Sequence, residues 1–268
     1  MRVLNKPIWL VVVILKFTFY GYCQPSSFTI QYSLGETNIS IIELCFKNCN
    51  KNQLFLNVHD NEQTGRNAAD SFLNKYGGML VHIANDSNRN VTFVLHGKQY
   101  SFDPNRIYSR KGRLASLMLL SEQKDSAAEP EVAYFAATIL NNYIKKRSFV
   151  IALHNNSDSN FSIHTYVHSQ DSLPGSGKVF VNPEMDEDDF ILTSEFAVFK
   201  KIKAKNINVV WENVHAIKDD GSLSIYASRH RIPYINVEAE HGHLHEQIML
   251  LKCLEDIFSI KANKRKRS

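Results

Sequence analysis

Three short apolar runs in this sequence end in residues that bind metals or move protons. The run 54–58 leads into His59-Asp60-Asn61-Glu62, and 149–153 leads into His154-Asn155-Asn156. The run 234–238 carries Glu238, with Glu240, His241 and His243 just after it. Two imidazoles and a carboxylate form a recognised catalytic zinc set that leaves a position for water. Metal bound in this way activates the water and polarises a carbonyl. A free carboxylate nearby then takes the proton and passes it to a leaving amine. Both Glu238 and Glu240 suit that role, because strand alternation puts them on one face, opposite Val237. His241 is a further candidate, as ligand or acid. Taken singly, each group also has an ordinary structural reading, since histidine has many roles.

These residues need a scaffold that brings distant segments together. Strands are expected at 54–58, 79–83, 91–95, 149–153, 207–211 and 234–238, with 79–83 and 91–95 paired through a turn at 85–90. Helices are expected at 67–76, stopped by Gly77 and Gly78, and at 131–146, where Pro130 starts the helix and Lys145, Lys146 and Arg147 end it. Further helices are expected at 222–230 and 245–260, and 28–42 reads as an extended lead-in or edge strand. Strands alternating with helices imply a single α/β domain, with a mixed, mostly parallel sheet covered by helices on both faces. In such sheets sites form outside the carboxyl ends of strands, so the three chemical segments can converge.

The order His59-x-x-Glu62, Asp103-x-Asn105-Arg106, His154 and a late-strand glutamate resembles the zinc carboxypeptidase superfamily. The short stretch between Glu62 and Asn105 resembles its compact aspartoacylase and succinylglutamate desuccinylase branch. The resemblance covers residues 54–241. It implies a phosphorylase/hydrolase-like fold and a zinc ion held by His59, Glu62 and His154. It also implies a substrate carboxylate gripped by Asn105 and by Arg106, whose planar guanidinium offers two parallel hydrogen bonds. Glu238 stands where the family places its general base, with Glu240 the alternative. The family often adds a second substrate-binding arginine, for which Arg110 and Arg113 are candidates, and a tyrosine over the substrate, for which Tyr226 and Tyr108 are.

The remaining features set the context. The 268 residues are 44% hydrophobic and 22% charged, ordinary for one globular domain. Arg2 and Lys6 precede a short apolar run at 8–15, and Gly21 and Cys23 precede Gln24. This reads as a signal peptide over 1–23, too short for a membrane span, although acylation at Cys23 is the alternative reading. A lead-in over 24–50, a zinc hydrolase-like domain over 51–260 and a basic tail over 261–268 would follow. The net charge of +4 owes much to that tail. No basic stripe with interleaved aromatics points to nucleic acid. Cys45 and Cys49 can pair in an oxidising compartment or stand as buried thiols.

Several signals carry less. Gly175-Ser176-Gly177-Lys178 lacks the spacing of a phosphate loop and reads as a turn after Pro174. The acidic run 184–189 lacks a calcium-loop pattern and reads as a solvated loop or helix start. His164 and His168 sit in a stretch that alternates like a strand, and Met118, Leu119 and Leu120 read as core or helix face. Sequons at Asn85 and Asn90 matter only in a glycosylating host.

The expected function is a secreted or periplasmic zinc amidohydrolase or carboxypeptidase, acting on a peptide or N-acyl amino acid that carries a free carboxylate. Export favours peptides. A non-catalytic peptide-binding module that keeps the fold, and an envelope-attached protein using the basic tail, are the alternatives.

Overall fold

The computed structural model describes residues 25–47, 49, 53–145, 147–156, 161–172, 177–213, 216–255 and 257. The expected signal peptide, Pro174 to Ser176 and the basic tail lie outside the described residues. Nine strands form one mixed sheet. At its centre four strands run parallel: β4 (Met79–Ala84), β3 (Gln53–Asn57), β7 (Phe149–Asn156) and β11 (Tyr234–Glu240). Their apolar runs are the long buried segments expected of strands covered on both faces. On one side β2 (Thr37–Cys45) pairs antiparallel with β4, and β1 (Ser26–Leu34) with β2, which makes the lead-in an edge hairpin. On the other side β9 (Phe190–Thr193) pairs antiparallel with β11, followed by β10 (Val209–Glu212) and β8 (Gly177–Phe180).

Helices cover both faces. Against one face lie α1 (Gln63–Tyr76), α5 (Phe196–Lys203) and α7 (Leu244–Cys253), through Phe72, Leu73, Phe199, Ile202 and Leu251. Against the other lie α2 (Arg110–Leu120), α3 (Glu129–Ile139), α4 (Ile163–Ser172) and α6 (Leu223–Arg229), through Leu117, Phe135, Ile163, Leu223 and Ala227. A π-helical turn, Leu140–Ile144, extends α3. Gly77 ends α1 at φ +72, where a Cβ would strike the Lys47 carbonyl, so the stop depends on glycine. Among the described residues, no helix is long and apolar enough to cross a membrane.

Several expectations need correction. The strand β5 (Val91–Leu95) does not pair with β4. It forms a separate hairpin with β6 (Lys98–Phe102), whose tight turn has His96 at φ 52 and Gly97 at φ 70. His164 and His168 lie on α4 rather than in a loop or strand. Of the two readings of Met118 and Leu119, helix face holds and core does not: both lie on α2 and face outward, Leu119 at 77% exposure. Within the acidic loop Asp188 and Asp189 are buried rather than solvated, Asp189 accepting from the Glu240 amide. Cys45 and Cys49 are joined as a disulfide, with Cα atoms 5.4 Å apart.

Candidate metal centre

The site is assembled by the turn after β3. The Glu62 amide donates to the His59 carbonyl at 3.1 Å, and Asn57 Nδ2 donates to the Glu62 carbonyl at 3.3 Å. This tight return puts both side chains on one point at the start of α1. Asn155 of β7 accepts from the Gly65 amide at 2.9 Å, which ties that helix start to the strand carrying His154. A Cβ on Gly65 would sit only 3.1 Å from that of Leu153, so a small residue lets the two elements approach.

The result is a buried triad. Nδ1 of His59 lies 2.9 Å from Glu62 Oε1, and Nδ1 of His154 lies 2.8 Å from Oε2. One ligand atom from each of the three residues lies within 4.8 Å of the others. His59 is 0% exposed, Glu62 2% and His154 5%. Burial opposes charge on Glu62, but the two imidazoles outweigh it and hold the carboxyl well below the usual range. Burial likewise opposes charge on His59, yet Glu62 and Asp103 together raise its pKa. Two ring nitrogens and a carboxylate, buried and aimed at one point, fit a zinc ion. The outer nitrogen of His59 is fixed by Asp103, the kind of support that metal-binding histidines have.

Glu238 lies beside this triad. It pairs in register with His154 on the neighbouring strand, is 6% exposed, and accepts from Asn236 Nδ2 at 2.8 Å. Burial raises its pKa above the ordinary carboxylate range, and His154 only partly offsets this. Glu240 is separated from the triad. It joins Asp186 and His243, whose Nε2 is 3.2 Å from its carboxylate. His241 is exposed, and its amide donates to the Asn156 carbonyl.

Asn105 and Arg106 follow β6. The Asn105 amide donates to Asp103 at 2.7 Å, and its side-chain oxygen accepts from Leu223 at 3.2 Å. Arg106 is partly exposed, with Asp220 3.7 Å away. The two candidate second arginines lie apart from the triad's own contacts. Arg110 is exposed, and Arg113 is tied to Glu129 and the Ile107 carbonyl. It is Arg89, from the turn after β4, that contacts Glu62 and reaches within 3.8 Å of Asp103. No spacing in the sequence marked it, since the chain returns to the site from a polar turn. Tyr226 stacks on His230 at 3.9 Å and packs on Tyr108. Tyr166 of α4 lies within the field of Glu238. Burial raises its hydroxyl pKa, with Glu212 and Glu238 adding to the effect and Arg106 opposing it. A cavity of about 590 Å³ opens beside the triad, bounded by Arg89, Asp103, Arg106, Lys111 and Leu119.

No protein-family model and no curated protein matches the sequence. Solved structures do match. The chain is similar to thrombin activatable fibrinolysis inhibitor, at TM-score 0.51 and 11% identity, over 88% of this chain and 71% of that one. It is also similar to an aspartoacylase family protein from Mesorhizobium loti, at TM-score 0.46 and 13% identity, over 86% of this chain. A third match is a succinylglutamate desuccinylase from Silicibacter sp., at TM-score 0.46 and 12% identity, over 88% of this chain and 67% of that one. The chain spans 65% of the length of the Mesorhizobium protein. At these identities the likeness is one of fold: this is the zinc carboxypeptidase-like fold.

Proposed function

We propose that this chain is an exported zinc-dependent amide hydrolase, acting on a peptide or an N-acyl amino acid next to a free carboxylate. The observation that carries the proposal is the convergence of His59 Nδ1, His154 Nδ1 and the Glu62 carboxylate on one buried point, with Glu238 on the adjoining strand. Zinc bound by those three residues would supply a Lewis acid and an activated water. Glu238 would take the water's proton onto its carboxylate and return it to the leaving amine; burial raises its pKa. Arg89 offers its guanidinium to the negative charge that develops on the carbonyl oxygen. Asn105 and Arg106 hold the substrate carboxylate and so align the scissile bond. Asp103 orients His59 from behind.

Export rests on Arg2, Lys6 and the apolar run that follows them. In an exported enzyme a peptide is the more available substrate than an intracellular N-acyl amino acid.

The test is elemental mass spectrometry on the purified chain, with turnover measured in parallel on peptides and N-acyl amino acids. About one zinc per chain is expected, lost in His154→Ala. Glu238→Gln should keep the metal and lose turnover. A wild-type chain that takes up no zinc at neutral pH would end the hydrolase reading in favour of a binding module.

A further inference from the structure

Asp60 stands between His59 and Glu62 in sequence but takes no place in the triad. Its side chain is buried and reaches the segment that follows β4. There Oδ2 accepts from two backbone amides, that of Asn85 at 2.7 Å and that of Ser87 at 2.9 Å. Oδ1 accepts from Arg66 Nη1 at 3.2 Å, so the buried charge has a cation beside it. A carboxylate that accepts from two amides makes a strong, directional clamp.

The clamped segment does not hold its shape unaided. Residues 85–88 form a tight turn, closed by the Asn88 amide donating to the Asn85 carbonyl at 2.8 Å. Its central residues, Asp86 and Ser87, both have left-handed backbones, at φ 50 and φ 58. Turns of this kind favour glycine at the second central position, where the Cβ of a serine is disfavoured. Asn85 Nδ2 braces the far side by donating to the Asn90 carbonyl at 2.7 Å. Arg89 lies between these anchored points. From there its guanidinium contacts Glu62 and comes within 3.8 Å of Asp103. One loop thus carries Glu62 and also grips the backbone that delivers a cation to it.

We propose that Asp60 is the positioning residue for Arg89. It fixes the 85–88 turn to the loop that carries His59 and Glu62, so the guanidinium and the candidate ligands keep one geometry. The role rests on the reading of Arg89 as the group that meets negative charge on the carbonyl oxygen. A carboxylate is needed because the hydrogen-bond partners of both oxygens donate. In Asp60→Asn the amide NH2 would face either Arg66 or the two backbone amides, donor against donor.

Amide exchange on the purified chain and kinetics on the zinc-loaded chain test this. In the wild type, NMR should show exchange at Asn85 and Ser87 at least about tenfold slower than in an unstructured chain. Asp60→Asn should speed exchange over residues 85–89 and leave that of β3 and β7 unchanged. It should also lower kcat about 10- to 100-fold, with a smaller change in KM and about one zinc still bound. In an Arg89→Ala background Asp60→Asn should change kcat by less than about twofold, because the group it places is gone. Ser87→Gly makes the central pair Asp-Gly, which adopts the left-handed turn readily, and should restore part of the rate lost in Asp60→Asn. Unprotected Asn85 and Ser87 amides in the wild type would overturn the proposal. So would kcat losses that multiply in the double variant. Wild-type exchange needs neither turnover nor a variant, so it decides the clamp even for a chain that hydrolyses no amide.

Discussion

Asp103 Oδ1 lies 2.8 Å from Nε2 of His59, on the edge of the ring opposite Glu62. The ring is thus held between two carboxylates, with Nδ1 aimed at the triad. Burial would raise the Asp103 pKa, but His59, the Asn105 amide and Arg89 bring it down to about 2. Asp103→Asn keeps the shape and removes the charge behind the ring. Zinc affinity should fall about 10- to 100-fold, measured by competition with a chelator. Unchanged affinity would mean that Asp103 does not orient the ligand.

Arg106 depends on two glycines for its place. A Cβ on Gly112 would come within 2.5 Å of the Arg106 carbonyl and collide with the Cα of Gly221. Gly221 itself sits at φ +83, and its carbonyl accepts from the Tyr108 amide. Gly112→Ala should cost about 1–3 kcal/mol of stability through overpacking, seen as a lower urea midpoint. Because the displaced backbone carries Arg106, KM for the carboxylate-bearing substrate should rise more than kcat falls. A stability loss with KM unchanged would separate the packing from the site.

The convergence of these segments was legible because the candidate ligands follow apolar runs that form buried strands. His59, His154 and Glu238 each sit at the end of one, and β3, β7 and β11 are adjacent in the sheet. What escaped sequence reading lacked periodicity or imitated another pattern. The sequence around His164 alternates like a strand, but as α4 it buries Ile163 and packs Tyr166 over Phe190. Lys98–Phe102 is mostly polar, and a His-Gly turn at its start is a weaker hairpin signal than Asn-Gly. That Glu240 groups with Asp186 and His243 could not be read from spacing, because Asp186 comes from a distant loop. Arg89 comes from a segment whose spacing says nothing about where the chain returns.

His82 should make stability depend on pH. It is buried on β4, with Nε2 3.3 Å from Arg66 Nη1 and 4.0 Å from Asp60. Burial and then Arg66 lower its pKa, and Asp60 only partly restores it. The folded chain therefore takes up the proton later than the unfolded chain as pH falls. Stability from this group is complete above the unfolded value of about 6.5 and is lost as pH falls towards the lower folded value. Urea midpoints should accordingly drop more between about pH 7 and pH 5 in the wild type than in His82→Gln. Parallel curves would assign the acid sensitivity to other groups.

Arg89 can act in two ways, and mutation separates them. Its side chain is 47% exposed, yet it contacts the buried Glu62. If its task is only to balance the charge of Glu62, Arg89→Ala should change metal affinity and leave kcat unaltered. If the guanidinium stabilises negative charge on the reacting carbonyl oxygen, kcat should fall about 10²- to 10³-fold, with about one zinc still bound per chain. Arg89→Lys should then recover part of the loss, since a point charge replaces a planar fork. Arg113→Ala is the control: its partners are Glu129 and the Ile107 carbonyl, so it should lower the unfolding midpoint rather than turnover by the metal-loaded fold. We expect the kcat effect, because Arg89 also reaches Asp103 and borders the open cavity beside the triad, where the proposed function would place a substrate carbonyl.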